Sequence, residues 1–219
     1  MSRVILVRHG ETVLNQKLRY SGQQETPLTA LGEAQHEQVR TRLLDEHIAR
    51  VVCSDLSRSQ LLADRIAADH GVSAESEPEL REASFGTWEG LTYEAAMARD
   101  RAAMVAFNRN PAVSGPPGGE SLTALEKRLR ACFDLLLLAH KDHVGVPSTT
   151  PHDSAPGALL LVSHGGALRT LLCSLLAIPL DRYWTLRIDP ASITILDTYP
   201  LGAIVSVLND TCHLHGLGS

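Results

Sequence analysis

The segment LVRHGET, Leu6 to Thr12, sets an arginine and a histidine, Arg8 and His9, directly after Val4 to Val7, an apolar run whose length suits a buried parallel strand. In open α/β sheets ligands bind at the carboxyl ends of the strands. Gly10 lets the chain turn away from that edge without the steric cost of a Cβ. The design recurs twice. VVCS, Val51 to Ser54, is a second short β-branched run, and SDLSRSQ behind it puts Arg58 in the first turn of a helix. ALLLVS, Ala158 to Ser163, delivers His164, two glycines, and then a helix whose leading N–H groups can face an anion. Glu82 stands at the start of the unlike segment LREASFGTWEG. A single histidine after a strand, or a single arginine at a helix start, is ordinarily structural. Arg8, His9, Arg58 and His164 at three strand ends need one shared reason, and a phosphate dianion supplies it.

Arginine's planar fork binds two phosphate oxygens at once and stays charged at any physiological pH. An imidazole with a neutral nitrogen attacks phosphorus, so His9 would form a phosphohistidine and split one hard displacement into two easier ones. The transition state spreads negative charge over the equatorial oxygens, and fixed positive groups must carry most of the catalysis. Arg8, Arg58, His164 and nearby N–H groups fit that task. The leaving alkoxide needs a proton, for which Glu82 is the candidate, and the same carboxylate can activate the water that releases phosphate. Other chemistries fit less well. Two histidines and a glutamate are the makings of a facial metal triad, but adjacent arginines repel a divalent cation, and no HxH or HExxH spacing occurs. Ser163 lacks the glycine two residues before it that a nucleophile elbow requires. No Walker A or GxGxxG sequence follows a strand, which disfavours nucleotide-dependent transfer. A catalytically silent phosphate-binding regulator is a further alternative, but it gives no reason for a proton donor beside an anion pocket.

The elements that must hold these residues follow from the pattern between them. A chain of 219 residues with 44% hydrophobic content suits one domain over 1–219 with an insertion. A net charge of −5 argues against nucleic-acid binding, so an anion site must be a local pocket. Cys53, Cys132, Cys173 and Cys212 show no ligand spacing and read as reduced, mostly buried thiols of a cytoplasmic protein. No signal-peptide pattern opens the chain, and the most apolar stretch, Ala158 to Leu180, is broken by His164 and Arg169, so no membrane span is expected. Thr29 is expected to cap a helix over 30–47, with Leu31, Ala34, Val39 and Leu43 facing inward. Asp55 or Ser57 is expected to cap a helix running to about Asp69, and residues 71–78 hold at most a short polar edge strand. From about 83 to 119 the pattern changes to a small, mostly helical insertion over the active site, with a helix opening at Thr92. Its aromatics Phe85, Trp88, Tyr93 and Phe107 suit a lid or pocket wall, or equally a satellite cluster. A strongly amphipathic helix over 121–140 places Leu122, Leu125, Leu129, Cys132, Phe133 and Leu136 in the core. Residues 145–157 read as a flexible polar loop. After a helix over 167–177, TLRID, SITILD and AIVSVLND read as short strands that complete the sheet, one of them antiparallel.

Taken together, LVRHGETVLN, CSDLSRSQLLADRIA, LREASFGTWEGLTYEA, GGESL and LLLVSHGGALRTLL resemble, in order and over nearly the whole chain, the motifs of the histidine phosphatase superfamily, phosphoglycerate mutase-like branch. The resemblance implies a three-layer α/β/α sandwich with a mainly parallel central sheet, and no metal or organic cofactor. It makes His9 the phosphorylated nucleophile and Glu82 the proton donor, with Arg8, Arg58 and His164 in the phosphate pocket. Asn15, Ser21 and Gly22 match positions that line the phosphate site, and Gly165 would offer a backbone N–H. The segment after Glu82 is shorter than the family's mutases carry, and PPGGESL and LNDTCHL are similar to its small-metabolite phosphatases. A small phosphorylated metabolite is thus the implied partner, and a homodimer is compatible with the resemblance.

Overall fold

The computed structural model describes residues 2–144, 157–199 and 202–217, the side chains of 142–144 excepted. Six strands, β1 (Ser2–Arg8), β2 (Ile48–Cys53), β3 (Ala74–Ser76), β4 (Ala158–Ser163), β5 (Ile193–Tyr199) and β6 (Gly202–Asp210), form one sheet in the order β3-β2-β4-β1-β5-β6. The β2–β3, β2–β4 and β1–β4 pairings are parallel, while β5 runs antiparallel to both of its neighbours. Side chains alternate across a strand, and here both faces are apolar. Val4, Leu6, Leu159 and Leu161 pack against α6 (Leu122–Val144) and α7 (Gly165–Leu175). After a single-turn helix, α1 (Val13–Gln16), the chain forms α2 (Ala30–Leu43) and α3 (Ser57–Asp69), against which Ile5, Val7, Leu160 and Val162 pack. Burial on both faces is why β1 and β4 read as unbroken apolar runs, and it produces the three-layer sandwich.

A third, separate cluster of Trp88, Ala96, Met104 and Phe107 lies in the insertion, built on α4 (Tyr93–Arg99) and α5 (Arg101–Arg109). The PPGG turn folds back onto SFG, where the Glu120 N–H donates to the Ser84 carbonyl. Gly86 has φ +49, and a Cβ there would meet the Pro117 oxygen at 2.3 Å, so only glycine suits the position.

Several elements differ from the sequence reading. The helix from Ala30 ends at Leu43, because β2 already begins at Ile48. Its buried face holds Gln35 and His36 beside Val39 and Leu43, not Leu31 and Ala34. Neither Asp55 nor Ser57 caps α3. Leu56 is the cap residue, its N–H donates to Ser54 Oγ at 3.3 Å, and Ser57 bonds the Glu25 carboxylate through both its N–H and its hydroxyl. Asp55 instead pairs with Arg81. TLRID is no strand, since a 3₁₀ segment, Leu180–Thr185, occupies its start and the rest runs as irregular chain to β5. The loop expected at 145–157 lies outside the described residues except for Gly157. Cys53, Cys132 and Cys173 are buried free thiols, whereas Cys212 is exposed. No helix of the described residues is long and apolar enough to cross a membrane.

Candidate active site

Adjacent strands β2, β4 and β1 end side by side, and the ladder continues past them through Ser54 N–H to the Val162 carbonyl and His9 N–H to the Ser163 carbonyl. Arg8, His9, Ser54 and His164 are thereby brought to one edge, and α3 returns Arg58 to it. The His9 and His164 rings lie edge to face, with centroids 5.0 Å apart.

His9 is 3% exposed, and its Nδ1 sits 2.7 Å from the Gly10 carbonyl. A carbonyl only accepts, so Nδ1 carries the hydrogen and Nε2 keeps its lone pair. Burial first, then the charges of Arg58 and Arg8, hold the ring's pKa well below the usual histidine value, which leaves it neutral at pH 7. Gly10 is itself clamped. Its N–H donates to His36 Nε2 at 3.0 Å, and a Cβ on Gly10 would meet the Gly32 carbonyl oxygen at 2.5 Å. Burial lowers the His36 pKa to about 4, so that ring too is a neutral acceptor. Beside it Gln35 accepts the Glu11 N–H at 2.8 Å. The polar inner face of α2 is therefore a cradle for the loop that carries His9.

Arg58 is 1% exposed and donates to the Gln24 carbonyl at 3.0 Å, the Gly22 carbonyl at 2.6 Å and His164 Nδ1 at 3.2 Å. Since Nδ1 accepts, His164 Nε2 holds the hydrogen, which it gives to Ser54 Oγ at 2.8 Å. Burial, with Arg58 and His9 behind it, keeps this ring's pKa well below the ordinary value as well. The positive charge of the site thus comes from the two arginines. Arg8 gives one N–H to the Ile188 carbonyl at 2.7 Å, while its buried Nε has no partner among the described residues. The Arg8 guanidinium lies against Gly165 so closely that a Cβ there would sit 2.9 Å from Cζ.

Glu82 is 7% exposed, and its oxygens accept the Ala83 N–H at 2.9 Å and the Gly166 N–H at 2.7 Å, joining the insertion to the start of α7. A Cβ on Gly166 would fall 2.4 Å from Glu82 Oε1, so glycine is required for this approach. Arg128, on α6, holds the chain behind Glu82. It donates to the carbonyls of Glu79, Arg81 and Glu82 at 2.6, 3.0 and 3.1 Å and forks onto the Glu120 carboxylate at 2.9 Å. Burial alone would raise the Glu120 pKa, but the Arg128 bonds and the Ser84 N–H outweigh it and lower the value.

The remaining expected residues divide. Ser21 Oγ is buried without a partner among the described residues. Gly22 reaches the site through its carbonyl on Arg58, while its N–H goes to Glu89 at 3.0 Å. Asn15 closes a capping box with Thr12, whose N–H and hydroxyl its Oδ1 accepts at 3.1 and 2.9 Å. The Gly165 N–H stands at the first position of α7, where a helix N–H has no partner within the helix. His36, Ser54, Glu89 and Arg128 hold the site together, and nothing in the apolar pattern marks them. Among the described residues, no group of three or more His, Cys, Asp or Glu is placed to hold a metal ion.

Over Glu82 and Gly166 opens a cavity of about 400 Å³ walled by Tyr20, Phe85, Tyr93, Phe107, Tyr183 and Trp184. The insertion's aromatics therefore serve both roles foreseen for them: Trp88 is buried in the cluster, Tyr93 lines the cavity, and Phe107 does both.

The chain is 34% identical to the probable phosphoglycerate mutase GpmB of Yersinia enterocolitica over 98% of its own length and 95% of that protein's. Among solved structures it is similar to a putative alpha-ribazole-5'-P phosphatase from Escherichia coli, with a TM-score of 0.82 and 30% identity over 95% of this chain and 96% of that one. It is also similar to the mycobacterial glucosyl-3-phosphoglycerate phosphatase, with a TM-score of 0.84 and 27% identity over 96% of this chain and all of that one. These relatives are named both as phosphatases and as mutases, so the class of chemistry they support is phosphoryl transfer, to water or to another hydroxyl. With residues 4–211 matching the model of that family, the chain belongs to the histidine phosphatase superfamily, branch 1.

Proposed function

We propose that the protein is a phosphomonoesterase that hydrolyses a small phosphorylated metabolite through a phosphohistidine on His9, without a metal ion. The observation that carries this reading is the state of His9: its Nδ1–H is fixed on the Gly10 carbonyl, and burial and two arginines keep it neutral, so Nε2 is a nucleophile at pH 7. Two buried donors without partners among the described residues, Arg8 Nε and Ser21 Oγ, support an oxyanion ligand there. Arg8, Arg58 and the Gly165 N–H would hold the phosphate oxygens, His164 would keep Arg58 aimed, and Asn15 and Gly22 would shape the loop around the phosphate.

Nε2 attacks phosphorus, the ester P–O bond breaks, and Glu82 gives its proton to the leaving oxygen. Water then gives a proton to Glu82 as its oxygen bonds to phosphorus. The N–P bond breaks, phosphate departs and His9 returns neutral.

The test is turnover of a generic aryl phosphate by the protein and by His9→Ala, in excess chelator, with acid quench to trap labelled phosphate. The expected result is activity in chelator, acid-labile phosphate on His9, and no turnover by the variant. Near-normal rates in His9→Ala, or label trapped on another residue, would overturn the assignment, and activity lost in chelator but restored by one divalent metal would overturn metal independence.

A further inference from the structure

We propose that the cavity over Glu82 receives the leaving group and selects phosphate esters of neutral, flat, apolar alcohols over those of acidic ones. The proposal rests on the hydrolase reading above and adds the class of substrate to it.

The position of the cavity comes first. Glu82 and Gly166 form part of its wall, so the bond that breaks on their side of the phosphate points into it. Its composition comes second. Six of the chain's nine aromatic residues line it. Phe107 and Tyr183 are 8% and 5% exposed and make a dry floor, whereas Tyr93 and Trp184, at 44% and 65%, stand at the mouth. About 400 Å³ is within the range of small-molecule sites and leaves ample room for a bicyclic ring system. Rings in such a wall stack on flat apolar groups, and their negative faces repel anions.

Charge comes third. No lysine, arginine or histidine among the described residues lines the cavity itself, and its acidic members are Glu82 and Glu120. Arg169 lies behind the wall, stacked on the Tyr183 and Trp184 rings at 4.7 and 5.2 Å from their centroids. The Arg128 fork neutralises Glu120, so its charge is already satisfied. A carboxylate on the leaving group would lose its hydration and meet no cation in the lining, since Arg169 is screened from it by the two rings it stacks on, a penalty larger than the gain from burying a three-carbon chain. A glyceric acid ester would thus be a poor fit, although relatives of this chain carry phosphoglycerate in their names.

The experiment compares three phosphates of primary alcohols, so that the chemical step stays alike: 2-naphthylmethyl phosphate, glycerol 3-phosphate and 3-phosphoglycerate. The purified full chain should show kcat/KM about 100-fold higher for the naphthylmethyl ester than for 3-phosphoglycerate. Tyr93→Ala and Trp184→Ala remove the exposed rings at the mouth, with circular dichroism and an unchanged urea midpoint as the check that the fold is kept. Together they should lower kcat/KM for the naphthylmethyl ester by about 10-fold or more and leave glycerol 3-phosphate within about twofold. Tyr93→Arg should raise kcat/KM for 3-phosphoglycerate, because it supplies the missing cation. If 3-phosphoglycerate matches or exceeds the naphthylmethyl ester, or if the alanine variants slow all three alike, the leaving-group site is refuted while the hydrolase stands. If none of the three esters is turned over and none labels His9, the hydrolase reading falls and takes this proposal with it.

Discussion

Replacing Glu82 by glutamine separates two roles that the structure gives this one side chain. Its oxygens accept two backbone N–H groups, from Ala83 at 2.9 Å and from Gly166 at 2.7 Å. A glutamine keeps one acceptor and turns an NH₂ toward the other N–H, so one buried amide goes unpaired, at a cost of about 1–3 kcal/mol in stability. The chemical role is independent of that loss. An alkyl alkoxide leaves badly without a proton, and general acid catalysis contributes roughly 10²- to 10⁴-fold, about 3–5 kcal/mol of barrier. A nitrophenolate leaves without help. Glu82→Gln should therefore slow formation of phospho-His9 from an alkyl phosphate by that factor and barely slow it from 4-nitrophenyl phosphate. Rapid-quench measurement of the first step is needed, because dephosphorylation is common to all substrates and also calls on this carboxylate. Equal slowing of phosphorylation by both substrates would refute the reasoning: Glu82 would then be only an acceptor tying the insertion to α7, and the acid would have to be sought elsewhere, with His164 next.

Two further outcomes follow from the groups around the site. His9, His36 and His164 are buried and held neutral, chiefly by burial, while in the unfolded chain each titrates near 6.5. Below that pH the unfolded state binds protons the folded state does not, so stability present above pH 6.5 is lost as pH falls, by about 1.4 kcal/mol per unit for each ring inside its window. For His36, with a folded value of about 4, that window closes near pH 4 and the loss reaches about 3 kcal/mol. Urea midpoints should fall between pH 7 and 5, and His36→Gln should flatten the slope; an unchanged slope would show that His36 protonates inside the fold. Arg128→Met should cost about 2–4 kcal/mol, somewhat below a fully buried pair because Arg128 and Glu120 are 17% and 22% exposed, and should lower kcat/KM by displacing Glu82. Adding Glu120→Gln should recover part of the stability but not the activity; full recovery of both would mean that Arg128 serves only Glu120.

The strand ends were legible because the signals are local. Short apolar runs stopped by Arg8, Ser54 and His164, with glycine one or two residues after two of them, need no knowledge of distant chain, and the sheet brings those three positions side by side. The supports were not legible, because each acts across a long sequence separation. Periodicity pointed Leu31 and Ala34 of α2 inward, yet Gln35 and His36 are the residues buried, as acceptors for the N–H groups of Glu11 and Gly10. Arg128 sits among the charged residues of an amphipathic helix and looks like an ordinary surface cation until the carbonyls of Glu79, Arg81 and Glu82 are brought beneath it. TLRID failed for a related reason: the Ile188 carbonyl, which a ladder would have used, accepts from Arg8 instead. In each case a helix or strand gives up apolar or ladder contacts to hold loop backbone that has no secondary structure of its own to satisfy it. A polar residue on the buried face of a half-exposed helix, as His36 is, is therefore a pointer to where the site's loops dock, and that burial shows only once the sheet order is known.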